Sequence, residues 1–180
     1  MNKTIAAAFA AMLFTISGPA LAQDVVVDHD NMVSVLSGYH GMPGADYWAR
    51  LEPEQALETL MNIANDPAVF TVVRARALSA LTHFKNEAVT NLLVDKARND
   101  KVAYMRSAAY EAIAKAEGPA ATASLAEALK DTDVMVRLTA VRSLRKIGTP
   151  EAKAALRTGI EIEKNPTARS VMTSTLEQMK

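Results

Sequence analysis

Cysteine is absent from the whole sequence, which excludes disulfides, thiolate metal sites, cysteine nucleophiles and a lipid-bearing N-terminal cysteine. Charge of one sign is not in excess either. Twenty Lys and Arg face twenty Asp and Glu, so nothing draws the chain as a whole to nucleic acid or an anionic membrane. No apolar run approaches the roughly 20 residues that a membrane-spanning helix needs, so no span is expected in the mature chain. Also missing are a glycine-rich phosphate loop, Gly-x-Ser-x-Gly, His-Glu-x-x-His and paired carboxylates in an apolar setting. Those gaps predict a protein that is not an enzyme and carries no cofactor.

The N-terminus is organised as an export signal. Lys3 is the only charge in residues 1–22, an apolar stretch covers residues 5–16, and Ser17-Gly18-Pro19 breaks it. Ala20-Leu21-Ala22 then supplies small residues at the −3 and −1 positions, predicting a signal peptide over 1–22 and cleavage before Gln23. The short, singly charged signal points to a bacterial periplasmic or secreted protein. Cleavage leaves about one domain's worth of chain with 19 basic and 20 acidic residues.

The strongest pattern is internal repetition. Arginines stand at Arg74, Arg106, Arg137 and Arg169, and seven residues after each comes an apolar residue, Leu81, Ile113, Leu144 and Leu176. Both series advance by 32, 31 and 32 residues. Ahead of each copy lies a second apolar-faced segment, bearing Leu57, Leu60 and Met61; Leu92 and Leu93; Leu125 and Leu129; then Leu156 and Ile160. Gly118-Pro119, Thr149-Pro150 and Asn165-Pro166 read as helix starts, because Pro at the first helical position loses no hydrogen bond. Asn86 and Asp133 read as caps of the same kind. The spacing predicts helices near 53–65, 69–85, 87–99, 101–117, 119–130, 133–147, 150–163 and 166–179. One helix pair cannot bury its own apolar faces, whereas stacked pairs bury a continuous core. The expected fold is therefore all-α, an α–α superhelix of four pairs (51–85, 86–117, 118–148, 149–180) behind an N-terminal cap segment at 23–50.

The series Asp133, Val136, Arg137, Ala140 and Leu144 resembles the HEAT repeat, and the short period looks like the bilin-lyase-like subgroup. The resemblance covers about residues 51–180. It implies a ladder between repeats made by Asp133 and Arg137, with Arg74, Arg106 and Arg169 in the same register. It also implies a concave side lined by the second helices and used to bind another protein. A chromophore-handling activity, which the subgroup suggests, fits poorly with an exported, cysteine-free chain built of repeat.

On that inner side the solvent-facing residues should be Ser79, Thr82 and His83; Glu111 and Lys115; Arg142, Arg145 and Lys146; Ser174, Glu177 and Gln178. Arg142, Arg145 and Lys146 are candidates to receive an acidic partner segment, although charges on a helix are as readily a solvated face. Residues 39–48 form a Gly/Pro-punctuated loop carrying Tyr39, His40, Tyr47 and the only tryptophan, Trp48. It can cap the open first repeat or act as a binding site for a partner, small ligand or metal. His29 between Asp28 and Asp30, with His40, offers ligand types for zinc or copper, but the spacing fits no metal motif and no metal is expected.

Overall fold

The computed structural model describes residues 27–38 and 41–179. The segment expected as an export signal, Tyr39 and His40 lie outside the described residues. Among the described residues ten α-helices follow one another: α1 (His29–Ser37), α2 (Ala45–Trp48), α3 (Pro53–Asn65), α4 (Thr71–Leu81), α5 (Glu87–Asn99), α6 (Ala103–Glu117), α7 (Thr122–Ala128), α8 (Val134–Ile147), α9 (Pro150–Ile162) and α10 (Pro166–Gln178). Among the described residues there is no strand, and no helix is long and apolar enough to cross a membrane. Helices α3 to α10 form four consecutive pairs stacked into an array, as the fixed register requires.

The helix starts follow the capping chemistry. Asn86, Asp133, Thr149 and Asn165 each accept a hydrogen bond from a first-turn N–H, of Ala88, Met135, Ala152 and Ala168 respectively. The segment expected as one helix over 119–130 is different. Gly118–Ala121 forms a 3₁₀ turn, with no side-chain cap, and α7 ends at Ala128. Residues 23–50, expected as cap and loop, contain α1 and α2. Asp28 caps α1 by accepting from the Asn31 N–H, and Met32 and Leu36, one helical turn apart, are buried.

The core runs the length of the array through Leu60, Ile63, Leu78, Leu81, Met105, Ile113, Leu125, Leu144 and Leu156, all fully buried or nearly so. Four residues after each repeat arginine come Leu78, Tyr110 and Val141, all buried, and then Thr173, exposed. The last pair thus carries an exposed polar residue at the position where the others bury an apolar side chain. Between the last two pairs Gly159 is a contact of closest approach. A Cβ there would lie 2.8 Å from Leu129 Cδ1. Gly159→Val is expected to destabilise the chain by roughly 1–3 kcal/mol through overpacking, despite Val being the better helix former. A chemical denaturation midpoint at or above the parent's would refute this packing.

The arginines tie successive pairs together, but the acid they meet is not Asp133. Arg106 Nε and Nη2 donate to the Asp131 carboxylate at 2.8 and 2.7 Å, while Nη1 donates to the Asp100 carbonyl at 3.0 Å. Arg137 repeats this one pair on, with Nε and Nη2 on Glu163 at 2.6 and 2.9 Å and Nη1 on the Asp131 carbonyl at 2.8 Å. Arg74 reaches Asp100 at 3.7 Å, and Arg169 donates to the Glu163 carbonyl. Each carboxylate also accepts the N–H two residues on: Val102 for Asp100, Asp133 for Asp131, Asn165 for Glu163. Asp133 itself is occupied as the cap of α8 through the Met135 N–H. The rungs are therefore Arg74–Asp100, Arg106–Asp131 and Arg137–Glu163. Arg137's bonds, against the opposing effect of burial, hold the Glu163 carboxyl below its ordinary range. Burial pushes Asp131 upward, but Arg106 and the Asp133 N–H outweigh it and leave that carboxyl lowered as well.

Candidate functional site

The second helices α4, α6, α8 and α10 pack on one another in order; of the first helices α7 and α9 also pack together, whereas α3 and α5, and α5 and α7, scarcely meet. The second-helix row is the more continuously packed, and depressions open on its surface. Register then sorts the residues of that side into rows. Two residues before the arginines stand Val72, Tyr104 and Met135, at 45%, 54% and 58% exposure. Nine after them stand His83, Lys115, Lys146 and Gln178, all exposed. Between the rows the floor is small-residued, with Ala75 and Ala108.

Two adjoining depressions occupy this surface. The larger, about 570 Å³, runs from Ala75 and Ser79 across Ala108 and Lys115 to Lys146. The smaller, about 260 Å³, has Tyr104 and Met135 on its walls with Arg142 at one side. Tyr104, Ala108 and Glu111 belong to both, so they form one groove over α4, α6 and α8. Apolar side chains edge it at the starts of the second helices, and cations edge it near their ends.

The charged residues expected to face solvent here do so, with Ser79 and Thr82 only half-buried. Lys146 Nζ lies 3.7 Å from Glu111 Oε1, both side chains exposed. Arg145 donates to the Gln178 side-chain oxygen at 3.2 Å, and Arg142 to Thr139 Oγ1 at 2.8 Å. Lys115 Nζ sits 3.3 Å from His83 Nε2. Burial first, and the Lys115 charge second, lower the His83 pKa, so the ring favours its neutral form.

The exposed apolar row was missed in reading the sequence. Its signal was present, because Val72 and Tyr104 keep the 32-residue stride and Met135 the 31-residue one. Phe70 and Val102, also exposed, extend it along the loops before α4 and α6.

Residues 41–48, a turn leading into α2, sit at the end of the groove beside α4, where Met42 lines it. Trp48 is buried, its Nε1 donates to the Pro43 carbonyl at 3.0 Å, and its ring stacks on His83 with centroids 5.8 Å apart. Tyr47 meets it edge-on at 5.0 Å. Arg76 Nη1 donates to the Leu36 and Gly38 carbonyls at 2.6 and 3.2 Å, fastening the N-terminal segment to α4. That segment packs on the first pair, with α1 against both α3 and α4. His29 lies 3.2 Å from Asp30 on the exposed surface, and among the described residues no three His, Asp or Glu side chains converge as a metal site would require.

A family model for HEAT repeats matches residues 45–114 and 98–177. No curated protein matches the chain.

Proposed function

The chain belongs to the HEAT repeat family, and from that premise we propose that it is a non-catalytic scaffold of the bacterial cell envelope, exported, cleaved before Gln23, and binding another protein on its concave side. HEAT repeats generally serve as protein-interaction scaffolds, but a fold alone does not assign a function. The observation that carries the reading is the exposed row Val72, Tyr104 and Met135, of which Tyr104 lines both the depression of about 570 Å³ and the adjoining one of about 260 Å³ that Met135 also lines. Apolar side chains kept in register yet left in water are a surface held ready for a partner. The alternative, a small-ligand or metal site in loop 39–48, has less to support it, since Trp48 is already packed and hydrogen-bonded within the chain.

The test places a photo-crosslinking residue at Ala108, on the groove floor, or at Thr158, exposed on the first helix α9. In living cells the Ala108 position should yield discrete crosslinked proteins in the osmotic-shock fraction, joined to a chain that begins at Gln23. Equal crosslinking from Thr158, or none from Ala108, would remove the concave side from consideration.

A further inference from the structure

We infer that the occupant of the concave groove is an acidic amphipathic helix of another protein, laid across α4, α6 and α8. This deepens the scaffold reading and rests on it. The two edges of the groove differ in chemistry. On one edge Tyr104 and Met135 stand exposed, with the exposed Val72 in the same register on α4. Toward the other are Lys115, Arg142 and Lys146, and among the described residues Lys146 alone of these has a carboxylate within ion-pair distance, that of Glu111, which lines the groove together with Asp133. The contrast with the ladder is sharp, since there Arg74, Arg106 and Arg137 each hold an acid. Lys115 and Arg142, whose partners are His83 and Thr139 rather than a carboxylate, complement carboxylates on the occupant.

The geometry selects a helix. A strand sends successive side chains to opposite faces, so one class would point into water. A helix can hold an apolar sector and an acidic sector side by side on the half that meets the groove. Neighbouring packed helices lie about 8–10 Å apart, and seven residues of helix rise about 10.5 Å, so one heptad of the occupant meets each second helix. The protein itself shows what the floor accepts. Met42, carried by the N-terminal segment, lines the groove beside Ala75 and Ser79 and packs on the core.

The test uses full-length mature chain and three labelled synthetic helical peptides of about 18 residues, long enough at roughly 1.5 Å per residue to cross three helices. The first carries Leu on one sector and Glu on the next; the second has Lys in place of Glu; the third has Ser in place of Leu. Fluorescence anisotropy should show saturable binding of the first only. Binding should weaken by at least about tenfold, or about 1.4 kcal/mol, in the Lys115→Glu/Arg142→Glu/Lys146→Glu variant and in Tyr104→Ser/Met135→Ser. These residues are exposed apart from their local contacts, and far-UV circular dichroism verifies that each variant folds. Equal binding of the Lys peptide, indifference to both variants, or no binding of the Leu/Glu peptide would overturn the inference. So would tighter association with phosphatidylglycerol vesicles than with the Leu/Glu peptide. If the Ala108 crosslinks persist while the peptide fails, the scaffold reading survives and the acidic helix falls. If both fail, both fall.

Discussion

Glu163→Ala should destabilise the chain by about 3–5 kcal/mol, the scale for removing one partner of a buried ion pair. The Glu163 side chain is 1% exposed and that of Arg137 13%, so the guanidinium left behind has little water to turn to. The same carboxylate accepts the Asn165 N–H at 2.8 Å, and its loss also loosens the approach to α10. An exposed pair provides the contrast. Lys130 and Glu127, both 57% exposed, should cost no more than about 1 kcal/mol when Lys130 becomes Ala. Replacing Arg137 and Glu163 together by Leu should recover much of the loss, because the penalty lies in the unpaired charge. Urea unfolding followed by circular dichroism measures all three, with hydrogen exchange expected to rise first in α9 and α10, since each repeat leans only on its neighbours. A Glu163→Ala change below about 1 kcal/mol, like that of a surface pair, would show that the rung does not join the repeats. The pH dependence has a definite sign. Glu163 is lowered in the folded chain, so its contribution is complete above the unfolded carboxylate value of about 4.3 and disappears as pH falls through the lower folded value. Glu163→Gln should therefore flatten stability against pH in that acid range and change its slope little near neutrality.

The repeat was readable because packing writes itself at a fixed stride: an arginine and the apolar residue seven after it recur through four copies. The acids of the ladder carry the same stride, with Asp100, Asp131 and Glu163 each six residues before an arginine. They were overlooked in favour of Asp133, four before Arg137, which caps α8 instead. An acid ahead of a helix can either cap it or reach the previous repeat, and the loop's path decides between them. Helix α1 was legible only in part, since Asp28, Met32 and Leu36 have cap and turn spacing but the segment lies outside the period. A concave side lined by the second helices was implied by the family resemblance alone, because curvature depends on the spacing between rows of helices rather than on any single repeat. The two chemically distinct edges of the groove emerge only when the register is laid over that curvature.

Trp48→Ala is expected to cost about 3–5 kcal/mol, as for other large buried aromatics, and to release the N-terminal segment from the first pair. The ring fills the space between Tyr47 and His83, and its N–H is satisfied within the segment by the Pro43 carbonyl. Trp48→Phe keeps most of the volume and loses that bond, so roughly 1 kcal/mol of the total should belong to the hydrogen bond. As the only tryptophan, Trp48 reports on its own environment: emission should be blue-shifted in the native chain and move to the red as the cap opens. Acid should open it early. His83 is lowered in the folded state, so its contribution is complete above about pH 6.5 and falls away as pH drops toward the folded value. The charges facing a protonated His83 are unfavourable, with Lys115 3.3 Å from its Nε2. His83→Phe should keep the stack and remove that dependence. If loop 39–48 were instead a metal or small-ligand site, Trp48 would begin in water and Trp48→Ala would leave stability within about 0.5 kcal/mol, as surface substitutions do. Its emission would then respond to zinc or copper and not to denaturant at the first pair. A cap predicts the reverse on each count, and one titration with metal beside one with urea separates them.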